Sequence, residues 1–174
     1  MLGETVSVRK VGGRIVVKNR PKRKVGKPSE KAMGFQEKFQ EAAQYASRQI
    51  AEAESRALYT TGITSRKRSA YIVAVSDFLN APRVRSIDTI DYHGAIGDTI
   101  VVNAVDDFMV TKVKVVVINS AGAVIEQGEA GPDVMKANHW GYKATAVNPT
   151  LAGTKIRAIA YDRPGNTGIA EIVL

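Results

Sequence analysis

Apolar residues open the chain at every second position. In TVSVRKVGGRIVVK, residues 5 to 18, Val6 and Val8 and then Ile15 and Val17 alternate around Gly12-Gly13. Period two about a Gly-Gly pair predicts a short β-hairpin. Two strands alone are marginal in water, so the hairpin must dock on the rest of the chain or on a neighbouring subunit. From Glu30 the period lengthens: Phe35, Phe39, Ala42, Ala43, Ala46, Ile50, Ala53 and Ala57 recur at three- and four-residue steps. That predicts an amphipathic helix over residues 30–58 with Ser29 as its N-cap. After a break at Thr60-Thr61-Gly62, Tyr71, Ala74, Val75, Phe78 and Leu79 fit a second helix ending before Asn80-Ala81-Pro82. The run SAYIVAV also suits a buried strand; the helix is the favoured reading.

Beyond Pro82 the pattern is uniformly β. Strands are expected near 83–88, 98–105, 110–118, 123–127, 141–147, 154–161 and 168–173, separated by turn sequences such as Asn119-Ser120-Ala121-Gly122 and Asp162-Arg163-Pro164-Gly165-Asn166. About seven short strands with no helix between them is a sandwich pattern. The expected fold is therefore mainly β: a C-terminal immunoglobulin-like β-sandwich preceded by a hairpin, a basic linker and two helices. The expected divisions are 1–31, 32–82 and 83–174.

The run from Gly153 to Asn166, with alternating aliphatics leading into Ala-Tyr-Asp162-Arg-Pro-Gly165-Asn166, precedes a closing strand that ends Ala170-Glu-Ile-Val-Leu174. It resembles the last hairpin of bacterial immunoglobulin-like domains. Val113 to Gly122, preceded by Asp106-Asp107, and Tyr142 to Thr145 fit the middle strands of that family. The resemblance covers residues 83–174 and implies a spacer, adhesion or assembly module without catalysis. Such domains usually sit in long exported proteins, and residues 1–82 match no family known to us. On the residues themselves, Asp162 and Asn166 are suited to close a tight loop with their side chains, and Gly165 to supply a positive φ.

Charge divides the chain in two. Residues 1–70 hold 16 Lys and Arg against 6 Glu, whereas residues 71–174 hold 9 against 11 acidic residues. Arg20, Lys22, Arg23, Lys24 and Lys27 form a basic arm, a candidate surface for a polyanion or an acidic partner. The bland alternative is a solubilising tail, and no aromatic residue interleaves the arm to stack on bases. Arg66-Lys67-Arg68 reads as an exposed loop.

Candidate chemistry is sparse. The chain has no cysteine and two histidines, His93 and His139, neither at metal-ligand spacing from the other. No serine lies in a nucleophile-elbow sequence and no glycine loop cradles phosphate. Asp98, Asp106, Asp107 and Asp162 could gather at a sandwich end around calcium, yet each is an ordinary turn residue. Trp140 and Tyr142 read as core plugs. The expectation is no catalytic residue, no metal and no cofactor. The expected function is a structural or assembly protein that contacts neighbouring subunits or an acidic partner, with non-specific nucleic-acid binding through the arm as the alternative. The opening MLGETVSVRK lacks the apolar run of a secretory signal, and no stretch has the length of a membrane span. The expected location is the cytoplasm or a particle assembled there.

Overall fold

The computed structural model describes residues 6–19 and 29–174, which fall into two compact units divided between Phe35 and Gln36. In the first, β1 (Val6–Val11) and β2 (Arg14–Asn19) form an antiparallel hairpin. Gly12 and Gly13 turn the chain at φ 57° and 81°, the two positive values that a tight hairpin turn demands.

Helix α1 (Glu30–Ala51) starts in the first unit and is capped by Ser29, whose Oγ accepts from the Ala32 amide at 3.3 Å. The helix expected over 30–58 is broken at Glu52, where the backbone is extended (φ −86°, ψ 126°), and resumes as α2 (Ala53–Thr60). Ala51-Glu52-Ala53 are good helix formers, so no local signal marks this break. It lets Ser55 and Tyr59 bury themselves in the second unit. Helix α3 (Ala70–Leu79) takes the helical reading of SAYIVAV: the Ser69 side chain accepts from the Ile72 amide, and the helix ends at Asn80 ahead of Pro82.

Seven strands follow: β3 (Arg83–Asp88), β4 (Thr99–Val105), β5 (Lys112–Ile118), β6 (Val124–Pro132), β7 (His139–Lys143), β8 (Lys155–Tyr161) and β9 (Thr167–Val173). They pair antiparallel in the order β3-β4-β7-β6-β5-β8-β9. Strand β6 joins the two halves, pairing with β5 from Val124 to Ala130 and with β7 only at Gly131 and Pro132. The expected strand at 141–147 is instead His139–Lys143, and the one at 123–127 extends to Pro132. Inward residues alternate as the pleat requires: Ile100, Val102 and Ala104 of β4, Val113, Val115 and Val117 of β5, and Ile156, Ala158 and Ala160 of β8 form one core with Tyr92 and Tyr142. A smaller core holds Ala46, Tyr59, Val73 and Ala74 of the helices, with Phe108 from the β4–β5 loop packed against it. No helix among the described residues is long and apolar enough to cross a membrane.

Candidate functional site: the helix-capped end of the sandwich

The three helices meet the loops at one end of the sandwich, β4–β5 and β8–β9. Their contact is polar at its centre. The Tyr59 hydroxyl, on α2, donates to Asp77 Oδ2 of α3 at 2.6 Å and lies 2.7 Å from the Tyr45 hydroxyl of α1. Phe108 stacks on the Tyr59 ring with centroids 4.7 Å apart, and the Arg163 guanidinium lies 5.7 Å from the centroid of that ring. Arg163 also donates to Ser55 Oγ at 3.2 Å.

Around this centre, loop carboxylates tie down backbone. Asp106 Oδ2 accepts from the Phe108 and Met109 amides. Asp162 Oδ1 accepts from the Gly165 and Asn166 amides at 2.8 and 2.6 Å, and its Oδ2 accepts from Asn166 Nδ2 at 2.7 Å. The same Asn166 amide donates to the Phe78 carbonyl at 3.2 Å, so this loop reaches α3 as well as closing its own hairpin. Gly165 has φ 98°. On the rim, Lys67 bonds the Asp107 carboxylate at 2.6 Å, and Ser76 and Asn80 donate to it as well. Burial works against the charge on Asp107, but Lys67 and the two other donors outweigh it and hold its pKa below the usual carboxylate value.

Asp77 is fully buried in this contact. Burial, reinforced by the nearby Asp106 and Asp162 carboxylates, pushes its pKa up to about 7 against the opposing Tyr59 hydrogen bond. Burial likewise raises Tyr59, Tyr45 and Asp162. A cleft of about 470 Å³ opens on one side of Asp106, bordered by Asn80, Arg83, Arg85 and Asp107. Another, of about 260 Å³, is lined by Asp106 together with Met109, Asp133, His139 and Trp140.

The sequence-derived candidates fall in different places. Arg20, Lys22, Arg23, Lys24 and Lys27 lie outside the described residues. Asp162, Gly165 and Asn166 stand together at the capped end. Asp98 does not join Asp106, Asp107 and Asp162: it precedes β4 while they cluster beyond its other end, and it holds the His93 and Ala95 amides at 2.7 and 2.8 Å. Backbone donors lower its pKa. No group of three His, Asp or Glu among the described residues is arranged to hold a metal ion. His139 Nδ1 lies 2.9 Å from the Ala137 carbonyl and its Nε2 lies 3.4 Å from Asn103 Nδ2. His93, at the other end of the sandwich, is not near it. Lys67 of the basic triplet is engaged by Asp107.

Sequence reasoning missed Tyr45, Tyr59 and Asp77. One signal was present: Asp77 is the single charged residue in AYIVAVSDFL, an otherwise apolar helix. A second missed group is Glu126, buried in β6. Its Oε2 accepts from the Tyr142 hydroxyl and Thr145 Oγ1, each at 2.8 Å, and from the Thr145 and Ala146 amides at 2.6 and 3.2 Å. Burial and the bond to Glu126 push the Tyr142 pKa up to about 12.

Apolar residues are also exposed on the hairpin and on α1. The hairpin register places Val6, Val8, Ile15 and Val17 on one face, with Lys10 and Asn19 at its ends. Val8, Ile15 and Val17 are 65%, 73% and 60% exposed. Its other face carries Arg9, Arg14 and Lys18 around Val16. On α1, Phe35 and Phe39 are exposed although the helical pattern reads them as packing positions.

No protein-family model matches the chain, and no curated protein sequence matches it. Part of the chain is similar to the tetra-tandem repeat in the extending region of a large adhesion protein, with 20% identity and a TM-score of 0.39 over 53% of this chain and 23% of that one. It is also similar to CopC from Methylosinus trichosporium OB3b, with 10% identity and a TM-score of 0.38 over 52% of this chain and 87% of that one. A third likeness is to the catalytic module of a multi-modular glycogen-degrading pneumococcal virulence factor, with 16% identity and a TM-score of 0.30 over 47% and 13%. The sheet-rich fold is compatible with an immunoglobulin-like domain.

Proposed function

We propose that the chain is a non-enzymatic structural or assembly protein. In this reading, a sandwich of the bacterial immunoglobulin-like kind, stiffened by its helical cap, is the rigid body. The hairpin, the basic arm and the exposed part of α1 contact neighbouring subunits or an acidic partner. The observation that carries the reading is the apolar face of the hairpin, on which Val8, Ile15 and Val17 are exposed. A two-stranded ribbon gains too little from its own pairing to keep such a face exposed without a partner. Charge sets the kind of partner: residues 1–28 hold nine Lys and Arg against one Glu, while residues 29–174 hold equal numbers of each sign, 16 and 16.

The experiment is light scattering after size-exclusion chromatography at about 50 mM and about 500 mM salt, where surface charge is respectively exposed and screened. The full chain is compared with one beginning at Ser29. A defined oligomer that persists in high salt and becomes monomeric on truncation is the expected result. Monomers of both chains in both buffers would overturn the reading.

The second reading is non-specific nucleic-acid binding, favoured by the acid-free run of Arg9, Lys10, Arg14 and Lys18 that continues into the arm. It predicts monomers, together with binding of single- or double-stranded DNA that weakens steeply with salt and disappears on truncation.

A further inference from the structure

Asp77 and Asp106 present an unresolved demand for a proton. Asp77 Oδ2 is satisfied by the Tyr59 hydroxyl and Asp106 Oδ2 by the Phe108 and Met109 amides. Their remaining oxygens, Asp77 Oδ1 and Asp106 Oδ1, are both buried and neither has a donor. The two carboxyls face one contact: Ser76 of α3 and Asn80 at its end donate to Asp107, the neighbour of Asp106, and Asp106 bears on Asp77 as a nearby negative charge. Ionised carboxylates are acceptors only, so two of them in such contact out of water repel and leave both oxygens without a donor. A single proton removes both penalties by turning the contact into a carboxyl–carboxylate hydrogen bond.

We propose that Asp77 carries a proton in the folded protein and donates it to Asp106, and that this hydrogen bond latches the helical cap, through α3, onto the β4–β5 loop of the sandwich. Other charges around the pair do not supply its missing donor. From α1 and α2 come the Tyr45 and Tyr59 hydroxyls, and Tyr59 already donates to Asp77 Oδ2. From the β8–β9 loop come Asp162, which adds negative charge, and Arg163, which donates to Gln49 and Ser55. Lys67, the cation on the rim, binds Asp107 instead. Asp106 lines two clefts, which bring solvent to its side of the pair.

The direction of the pH effect follows from the raised affinity of Asp77 for its proton. Its folded-state pKa of about 7 lies above the ordinary 3.8, so the folded protein binds more protons than the unfolded chain between those limits. The stabilisation is complete below the ordinary value and is lost as pH rises through about 7. The cap therefore loosens at mildly alkaline pH while the β core, whose side chains are apolar around Val102, Val115 and Ala158, does not respond. The latch is independent of which partner the hairpin meets.

The test is amide hydrogen exchange on the full chain at pH 5 and pH 8, expressed as protection factors, for the wild type, Asp77→Asn and Asp106→Asn. An asparagine at either position supplies a permanent donor in place of the proton. The expected result is that protection of α3 falls by about tenfold or more from pH 5 to pH 8 in the wild type and by less than about twofold in either variant. If Asp77→Asn does not fold, Asp106→Asn decides alone. Equal protection at both pH values in the wild type would overturn the proposal, as would variants that keep its full pH dependence. Restoration of wild-type protection at pH 8 by millimolar calcium chloride would also overturn it, since a cation would then be bridging the pair.

Discussion

Gly168 of β9 lies against the carbonyl of Pro82: a Cβ built on this glycine would stand 1.9 Å from that oxygen. Pro82 is the residue between the cap and β3, and it is buried. The close approach of β9 to the start of β3 brings the two ends of the strand order together on the sandwich. The obstacle is backbone on both sides, so rotating a side chain cannot relieve it. Gly168→Ala is expected to lower stability by about 1–3 kcal/mol through displacement of β3. Chemical denaturation followed by the fluorescence of the single tryptophan, Trp140, checks this; an unchanged midpoint would mean that the strands part without cost.

Glu126 is expected to be the most damaging polar position in the sandwich. Gly128 leaves the space on the inner face that the Tyr142 ring fills, since a Cβ there would lie 2.8 Å from the ring, and the hydroxyl of that ring reaches Glu126. Removing the carboxylate abandons four donors of β7 and the segment after it. Glu126→Ala is therefore expected to cost about 3 kcal/mol, more than Tyr142→Phe, which removes one donor and costs about 1 kcal/mol. Thermal unfolding of the two variants ranks them, and the reverse order would contradict the geometry.

The strands were readable because alternation is a local property: Ile100, Val102 and Ala104 announce a face wherever the partner strand lies. The break in the helix at Glu52 was not readable, because Ala, Glu and Ala propagate a helix and only burial of Ser55 and Tyr59 in a distant contact interrupts it. The Asp162, Gly165 and Asn166 loop shows an intermediate case. Its turn chemistry is written in neighbouring residues, but the bond from Asn166 to Phe78 spans 88 positions and exists only once the cap is docked. Asp77 was visible as a charge in an apolar helix and Asp106 as a turn carboxylate, but their pairing was not, since nothing local joins residues of α3 to the end of β4. The strand at His139–Lys143 starts earlier than its pattern suggests. Gly141 contributes no side chain to the alternation, and Asn138, in the left-handed region at φ 65°, sets the turn into the strand.

Asn166 offers a separate handle on cap docking. Asn166→Ala removes the donor to Phe78 and one of the three donors to Asp162, leaving the Gly165 and Asn166 backbone amides in place. The β8–β9 hairpin should survive, and the cap should loosen by about 1 kcal/mol. Hydrogen exchange is expected to show faster opening of α3 with unchanged protection in β5 and β8. A uniform loss across the sheet would show that the side chain serves the hairpin alone.

Tyr59→Phe combines a stability effect with a titration effect of known sign. The hydroxyl donates to Asp77 and favours its charged form, so its loss raises the Asp77 pKa further above about 7. The pH midpoint for loosening of the cap should move up, while stability at pH 5 falls by about 1–2 kcal/mol because Tyr45 also loses its partner. Urea denaturation at closely spaced pH values measures both. A midpoint that moves down would indicate that Tyr59 stabilises the protonated acid instead.

The two faces of the hairpin can be separated by substitution because its register is defined. Val8→Glu and Val17→Glu put charge at a directly opposed pair on the apolar face, whereas Arg9→Glu and Arg14→Glu reverse charge on the other. If the apolar face is covered by another subunit, each valine substitution should weaken association by about tenfold or more, because a carboxylate would have to be buried without a partner. The effect should persist at about 500 mM salt. The arginine substitutions should act mainly on encounter rate and lose most of their effect at that salt, as rim charges do. Sedimentation velocity across a concentration series gives the association constants. Thermal unfolding of residues 36–174 should be the same in all four variants, since that unit is compact by itself. The opposite ranking, with large salt-sensitive losses from the arginines and none from the valines, would shift the contact from the apolar face to the basic one and favour a polyanion as the partner.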